Sequence, residues 1–84
     1  MVIFLATREG YKELEPIIRS GKYPVWVGAG VLTEDEMDEI RALGIYLTNF
    51  LYAIDLGNSE VVEEALESIA LHHPKERVWL ECIP

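Results

Sequence analysis

At 84 residues the chain has the length of one compact domain, spanning 1–84. Half its residues are apolar, and fifteen acids outweigh seven cations for a net charge of −8. That balance disfavours nucleic acid and anionic membranes, whose phosphates are held by clustered Lys and Arg.

The charge is unevenly spread. Residues 1–22 carry four cations against three acids, whereas residues 23–84 carry three against twelve. One cysteine, Cys82, leaves no partner for an intrachain disulfide. The VIFLA near the start is too short for a signal-peptide core. No segment approaches the roughly 18 apolar residues that span a bilayer. A cytoplasmic protein is the expectation.

Taken in chain order, Val2 to Ala6 form a continuous apolar run, the pattern of a strand buried on both faces. Tyr11, Leu14, Ile17 and Ile18 then recur at helical spacing. Pro16 in a helix interior costs about 3 kcal/mol, so the spacing predicts a helix beginning near Lys12, with the proline in its first turn. Gly21 stops that helix, and residues 23–27 make a second buried strand.

Thr33 followed by Glu36 is a capping box, which opens a helix over Thr33 to Leu43. Met37, Ile40 and Leu43 form its inward stripe, and Gly44 closes it. The β-branched and aromatic content of residues 45–54 predicts strand pairing near 45–49, followed by an irregular stretch. Asn58 or Ser59 caps a third helix, Glu60 to about His72, and Pro74 ends it. Val78 to Ile83 closes the series as an edge strand, since Glu81 stands among apolar residues.

The order is β-α-β-α-β-α-β, which predicts an α/β fold: a four-stranded, mainly parallel sheet with right-handed crossovers, a half-sized doubly wound type. The expected strand order is 2-1-3-4. It leaves the first helix alone on one face and the other two together on the opposite face. One short helix cannot cover four strands, so Tyr46, Phe50, Tyr52 and Trp79 are expected to form a homodimer surface.

The Gly28-Ala29-Gly30 turn lies between a strand and a helix start, as phosphate-cradling loops do. Thr33 stands where the dinucleotide fingerprint has its third glycine, and the loop has no lysine. The helix opens Thr33-Glu34-Asp35-Glu36, which already occupies the capping donors. At about 6 Å and an effective dielectric near 20, each carboxylate repels a phosphate by roughly 2–3 kcal/mol. The dipole returns only about 0.3–1 kcal/mol. A tight turn is the expected role, and no nucleotide or other cofactor is expected.

Ligands of open α/β sheets sit beyond the carboxyl ends of the strands. That edge is expected to gather Thr7, Arg8, Gly28, Gly30 and Asn49, which together suit a small carboxylate or a single phosphate. The competing expectation pairs Arg8 with a neighbouring acid. His72 and His73 point about 100° apart on a helix and cannot chelate together, so they read as a stop signal and no metal is expected. Cys82, near a strand end, is poorly placed for an activated thiolate, and no catalytic residue emerges.

Nine of the fifteen acids lie on the second and third helices, expected neighbours that would make one acidic face. Its principal residues are Glu60, Glu63, Glu64 and Glu67. Two functions remain open: a protein-interaction or regulatory module, dimeric and steering a basic partner by that face, or a small-anion-binding or enzyme domain at the strand edge.

Overall fold

All four side chains of the first strand, Val2–Leu5 (β1), are sealed from water. The computed structural model, which describes residues 1–81, places β1 between two neighbours so that both its edges and both its faces are covered. The remaining elements are α1 (Arg8–Arg19), β2 (Val25–Val27), α2 (Glu34–Ala42), β3 (Leu47–Asn49), α3 (Ser59–His72) and β4 (Val78–Leu80). The sheet has four strands in the order β3-β2-β1-β4. Every pairing is parallel, with Phe4 beside both Trp26 and Leu80 and with Trp26 beside Thr48.

This is the α/β class expected from the alternating pattern, with one correction to the order. The sequence reading placed β3 beside β1 as 2-1-3-4; instead β3 pairs with β2 and β4 pairs with β1. Polarity accounts for the difference. Of β3 only Leu47 is buried, whereas Thr48 and Asn49 are exposed, a composition suited to an edge and not to a place beside the fully buried β1.

The new order also reverses the helix partition. Two crossovers step the same way, from β1 to β2 to β3, so right-handedness puts α1 and α2 on one face. The return to β4 carries α3 to the other. Two separate apolar clusters show the result. One joins Ile3, Leu5, Val25 and Val27 to Tyr11, Ile18 and Ile40; the second joins Val2, Phe4 and Trp26 to Phe50, Ile54, Ala65 and Ile69. The second and third helices are therefore not neighbours, and their acids do not form one continuous face.

Local chemistry sets most element ends. Thr33 and Glu36 complete the capping box reciprocally. The Asn58 side chain accepts from the Glu60 and Val61 amides at the start of α3. Gly21 and Gly44 follow their helices with φ of 74° and 82°, the left-handed closure that glycine permits. α1, however, begins at Arg8 under a Thr7 cap and not near Lys12, so Pro16 lies inside it. Pro16 and Lys12 are both exposed, which leaves water as the partner for the carbonyl the proline cannot serve. Burial of Tyr11 and Ile18 offsets that cost. Cys82, and with it the end of the strand expected to reach Ile83, lies outside the described residues.

Phe4 stacks against Phe50 with ring centroids 5.6 Å apart and is fully buried. Phe4→Ala is expected to lower unfolding free energy by about 3–5 kcal/mol. Ala at Tyr46, which is 83% exposed, should change it by less than about 0.5 kcal/mol. Urea unfolding of the two variants measures both.

Candidate functional site

In this sheet the strand order reverses between β1 and β4, so the crevice at their carboxyl ends is where a doubly wound fold offers a ligand site. Ala6 and Thr7 leave β1 there and lead into α1, whose first amides have no partner within the helix. The amides just before the helix, and that of Gly10 within it, are already used. The Glu81 carboxylate, just past β4, accepts from the Ala6 amide, from the Thr7 amide at 2.6 Å and from the Thr7 hydroxyl at 2.5 Å. The Thr7 hydroxyl oxygen in turn accepts from the Gly10 amide at 3.1 Å.

Glu81 is 8% exposed, the one buried charged side chain among the described residues. Burying a carboxylate is tolerable only with such partners, and the positive end of α1 adds to them. Gly10 makes room: a methyl group there would overlap the carboxylate. The crevice is therefore an anion cradle, and the anion in it is the chain's own.

Arg8, the cation expected to serve a ligand at this edge, is turned away. Its guanidinium donates to both Glu36 oxygens, one at 2.6 Å, and to the Val31 carbonyl at 3.2 Å. It also lies 5.3 Å from the centre of the Tyr11 ring. This bidentate pair ties the start of α1 to the start of α2. The Arg8 guanidinium, with help from the Thr33 amide, holds the Glu36 carboxyl down from its usual 4.5 to about 2.

The glycine turn is closed as well. The Gly28 amide donates to the Leu5 carbonyl at 3.0 Å and the Ala29 amide to Tyr52 at 3.0 Å. Ile54 rests on Gly28, so closely that a Cβ there would stand 3.2 Å from the Ile54 nitrogen. Gly30 is exposed with φ of 82° and turns the chain toward α2. Asn49, at the end of β3, belongs to the far edge of the sheet and not to the crevice. Of the five residues expected together, the structure brings Thr7 to the switch point, commits Arg8 to Glu36, and leaves Asn49 elsewhere.

Glu81 is the residue the sequence reading missed as a site residue: that reading makes it the mark of an edge strand, which β4 is, and not a ligand of Thr7. A signal was present: in an all-parallel sheet a lone acid just after Val-Trp-Leu emerges at the same edge as Thr7.

A second feature lies on the opposite face. α3 covers β1, β4 and Trp26 of β2, and beyond it, on the β3 side, a cleft of about 390 Å³ opens. Trp26, Phe50 and Tyr52 form its apolar floor, with Ser68 and His72 of α3 on one wall and Thr48 and Leu51 on the other. Trp26 and Phe50 are 5.3 Å apart, as are Trp26 and His72. His72 is held by its Nδ1, 2.9 Å from the Ser68 carbonyl. Among the described residues no three His, Cys, Asp or Glu side chains stand together as a metal site, and no helix is long and apolar enough to cross a membrane.

The four acids of α3, Glu60, Glu63, Glu64 and Glu67, are all exposed, and none is in an ion pair among the described residues.

Two outcomes test the interactions at the start of α1. Glu81→Ala strips the buried donors of their acceptor and should cost about 1–3 kcal/mol. Gly10→Ala, which displaces the same carboxylate, should couple to it, so the double variant loses less than the two losses combined; additive losses in urea unfolding would contradict the cradle. Glu36 contributes stability that is full above its unfolded value of 4.5 and is lost as pH falls toward 2. Wild type should therefore melt above Glu36→Gln at neutral pH, with the gap closing across that window.

No protein-family model matches this chain, and no curated protein or solved structure is significantly similar to it.

Proposed function

We propose that this protein is an interaction module that uses the acidic surface of α3 to engage a basic protein partner. The observation that carries this reading is the set of four unpaired carboxylates on one short helix. The buried Glu81 is held by amides and the half-buried Glu36 by Arg8, but these four face water without a cation among the described residues. Such a cluster concentrates negative potential on one side of the molecule and steers an oppositely charged partner toward it. The opposing small-anion reading is weakened by the crevice itself, since Glu81 fills the cradle and Glu36 holds Arg8.

The face proposed here is that of α3 alone, because α2 lies across the sheet. The homodimer expected from the aromatic excess also loses its common surface. Phe50 is buried and packs on the α3 side, whereas Trp79 packs on the side of α1 and α2. Only Tyr46 and Tyr52 remain as exposed rings of that group.

A short lysine-rich peptide, titrated by fluorescence anisotropy, provides the measurement. Changing Glu60, Glu63, Glu64 and Glu67 together to Gln should abolish most of the binding while circular dichroism stays unchanged. Changing Glu34, Asp35, Asp38 and Glu39 to Gln on α2 removes the same charge and should leave binding largely intact. Equal losses from both variants would reduce the effect to net charge and overturn the reading.

A further inference from the structure

β3 is an edge strand, so one side of its backbone has no partner strand. The Val25 amide donates to the Tyr46 carbonyl, and the Phe50 amide donates to the Val27 carbonyl. In a parallel ladder that leaves Leu47 and Asn49 with their amides and carbonyls turned to the open side. Such a row is a template for a further strand, and charged side chains beside it are a common protection. The other edge strand, β4, follows directly on Lys75, Glu76 and Arg77, all exposed. β3 has nothing comparable, since residues 42–54 carry no charged side chain. Seven large apolar side chains are exposed among the described residues, and four of them, Leu43, Tyr46, Leu51 and Tyr52, bracket this one strand.

The charge that reaches β3 comes from another element. Gly44, with φ of 82°, reverses the chain between α2 and β3. Arg41, in the last turn of α2, is thereby brought back to the strand, where its guanidinium donates to the Leu47 carbonyl at 3.1 Å. The choice of partner is informative. Asp38 lies three residues earlier on the same helix, a spacing suited to an ion pair. Yet Arg41 is in no ion pair among the described residues. Its donor goes instead to a backbone carbonyl on the open side of the sheet.

A second copy of the chain is the occupant that this contact excludes. Two identical edges related by a two-fold axis meet antiparallel and make each contact twice. With the axis at Thr48, Leu47 of each copy stands opposite Asn49 of the other, and each pair exchanges both its bonds. Both Leu47 carbonyls are then required as acceptors, and each already holds a guanidinium. Charge would not otherwise keep the edges apart: the chain carries −8 overall, but this stretch is neutral.

We propose that Arg41 guards the β3 edge, keeping it from pairing with the same edge of a second copy. The guard is independent of the acidic surface of α3.

Sedimentation over a concentration series tests it. Wild type should remain monomeric. Arg41→Ala should raise the self-association constant at least about tenfold, because no charge-assisted bond then has to be displaced. Asn49→Pro removes an amide on the open side, a change that edge strands tolerate. Thr48→Lys sets two ammonium groups opposite each other at the axis. Either change, added to Arg41→Ala, should restore the monomer, with circular dichroism and urea unfolding showing that the variants are folded.

Arg41→Ala that stays monomeric throughout the series overturns the guard, as does a wild type that associates equally well. Association that neither added change removes also overturns it, because the contact then lies elsewhere or arises from partial unfolding.

Discussion

A strand with no polar side chain can be stable only where water reaches neither its faces nor its edges, and β1 imposes that condition on everything around it. Its four buried residues require a neighbour on each side and helices above and below. β2 and β4 supply the neighbours and α1 and α3 the nearest cover. Because each crossover is right-handed, placing β2 and β4 on opposite sides of β1 commits α1 and α3 to opposite faces. The strand order, the helix partition and the position of the switch point all descend from that arrangement.

The switch point then acquires its particular character. In a doubly wound sheet the start of the first helix offers free amides to an anion. Here β4 delivers Glu81 to the Ala6 and Thr7 amides just before that start, and Gly10 leaves space for its carboxylate. A general feature of the fold becomes an internal clasp between the first and last strands. Arg8 is absorbed into a second clasp, between α1 and α2 through Glu36. Both anion-facing devices of the carboxyl edge are thereby used to hold the fold together.

The opposite consequence follows from the uneven count of helices. Two on one face and one on the other bury every side chain of β2 but leave Tyr52 and Leu51, in the stretch after β3, exposed, Leu51 almost wholly in water. The incompletely roofed part of the sheet is thus the β3 side, whereas the carboxyl edge, where such folds most often hold ligands, is closed by the chain's own side chains.

The amino-acid order by itself determined whatever depends on residues a few positions apart. The Thr33–Glu36 capping box, the Asn58 cap, the glycine closures at Gly21 and Gly44, and the alternation of apolar runs with helical stripes are local, and each specifies its element without reference to the rest. From these the α/β class and the parallel sheet were legible. Tertiary structure alone decided the strand order, because a parallel ladder uses the same backbone bonds whichever strands are paired. It also decided the two clasps, which join Thr7 to Glu81 and Arg8 to Glu36 across 74 and 28 positions. Pro16 shows the same division: local propensity put the expected helix start near Lys12, with the proline in the first turn, yet burial of Tyr11 and Ile18 outweighed the lost hydrogen bond and the helix begins at Arg8. Contacts between distant segments leave no spacing to read, and their energies exist only once the chain has brought the partners together.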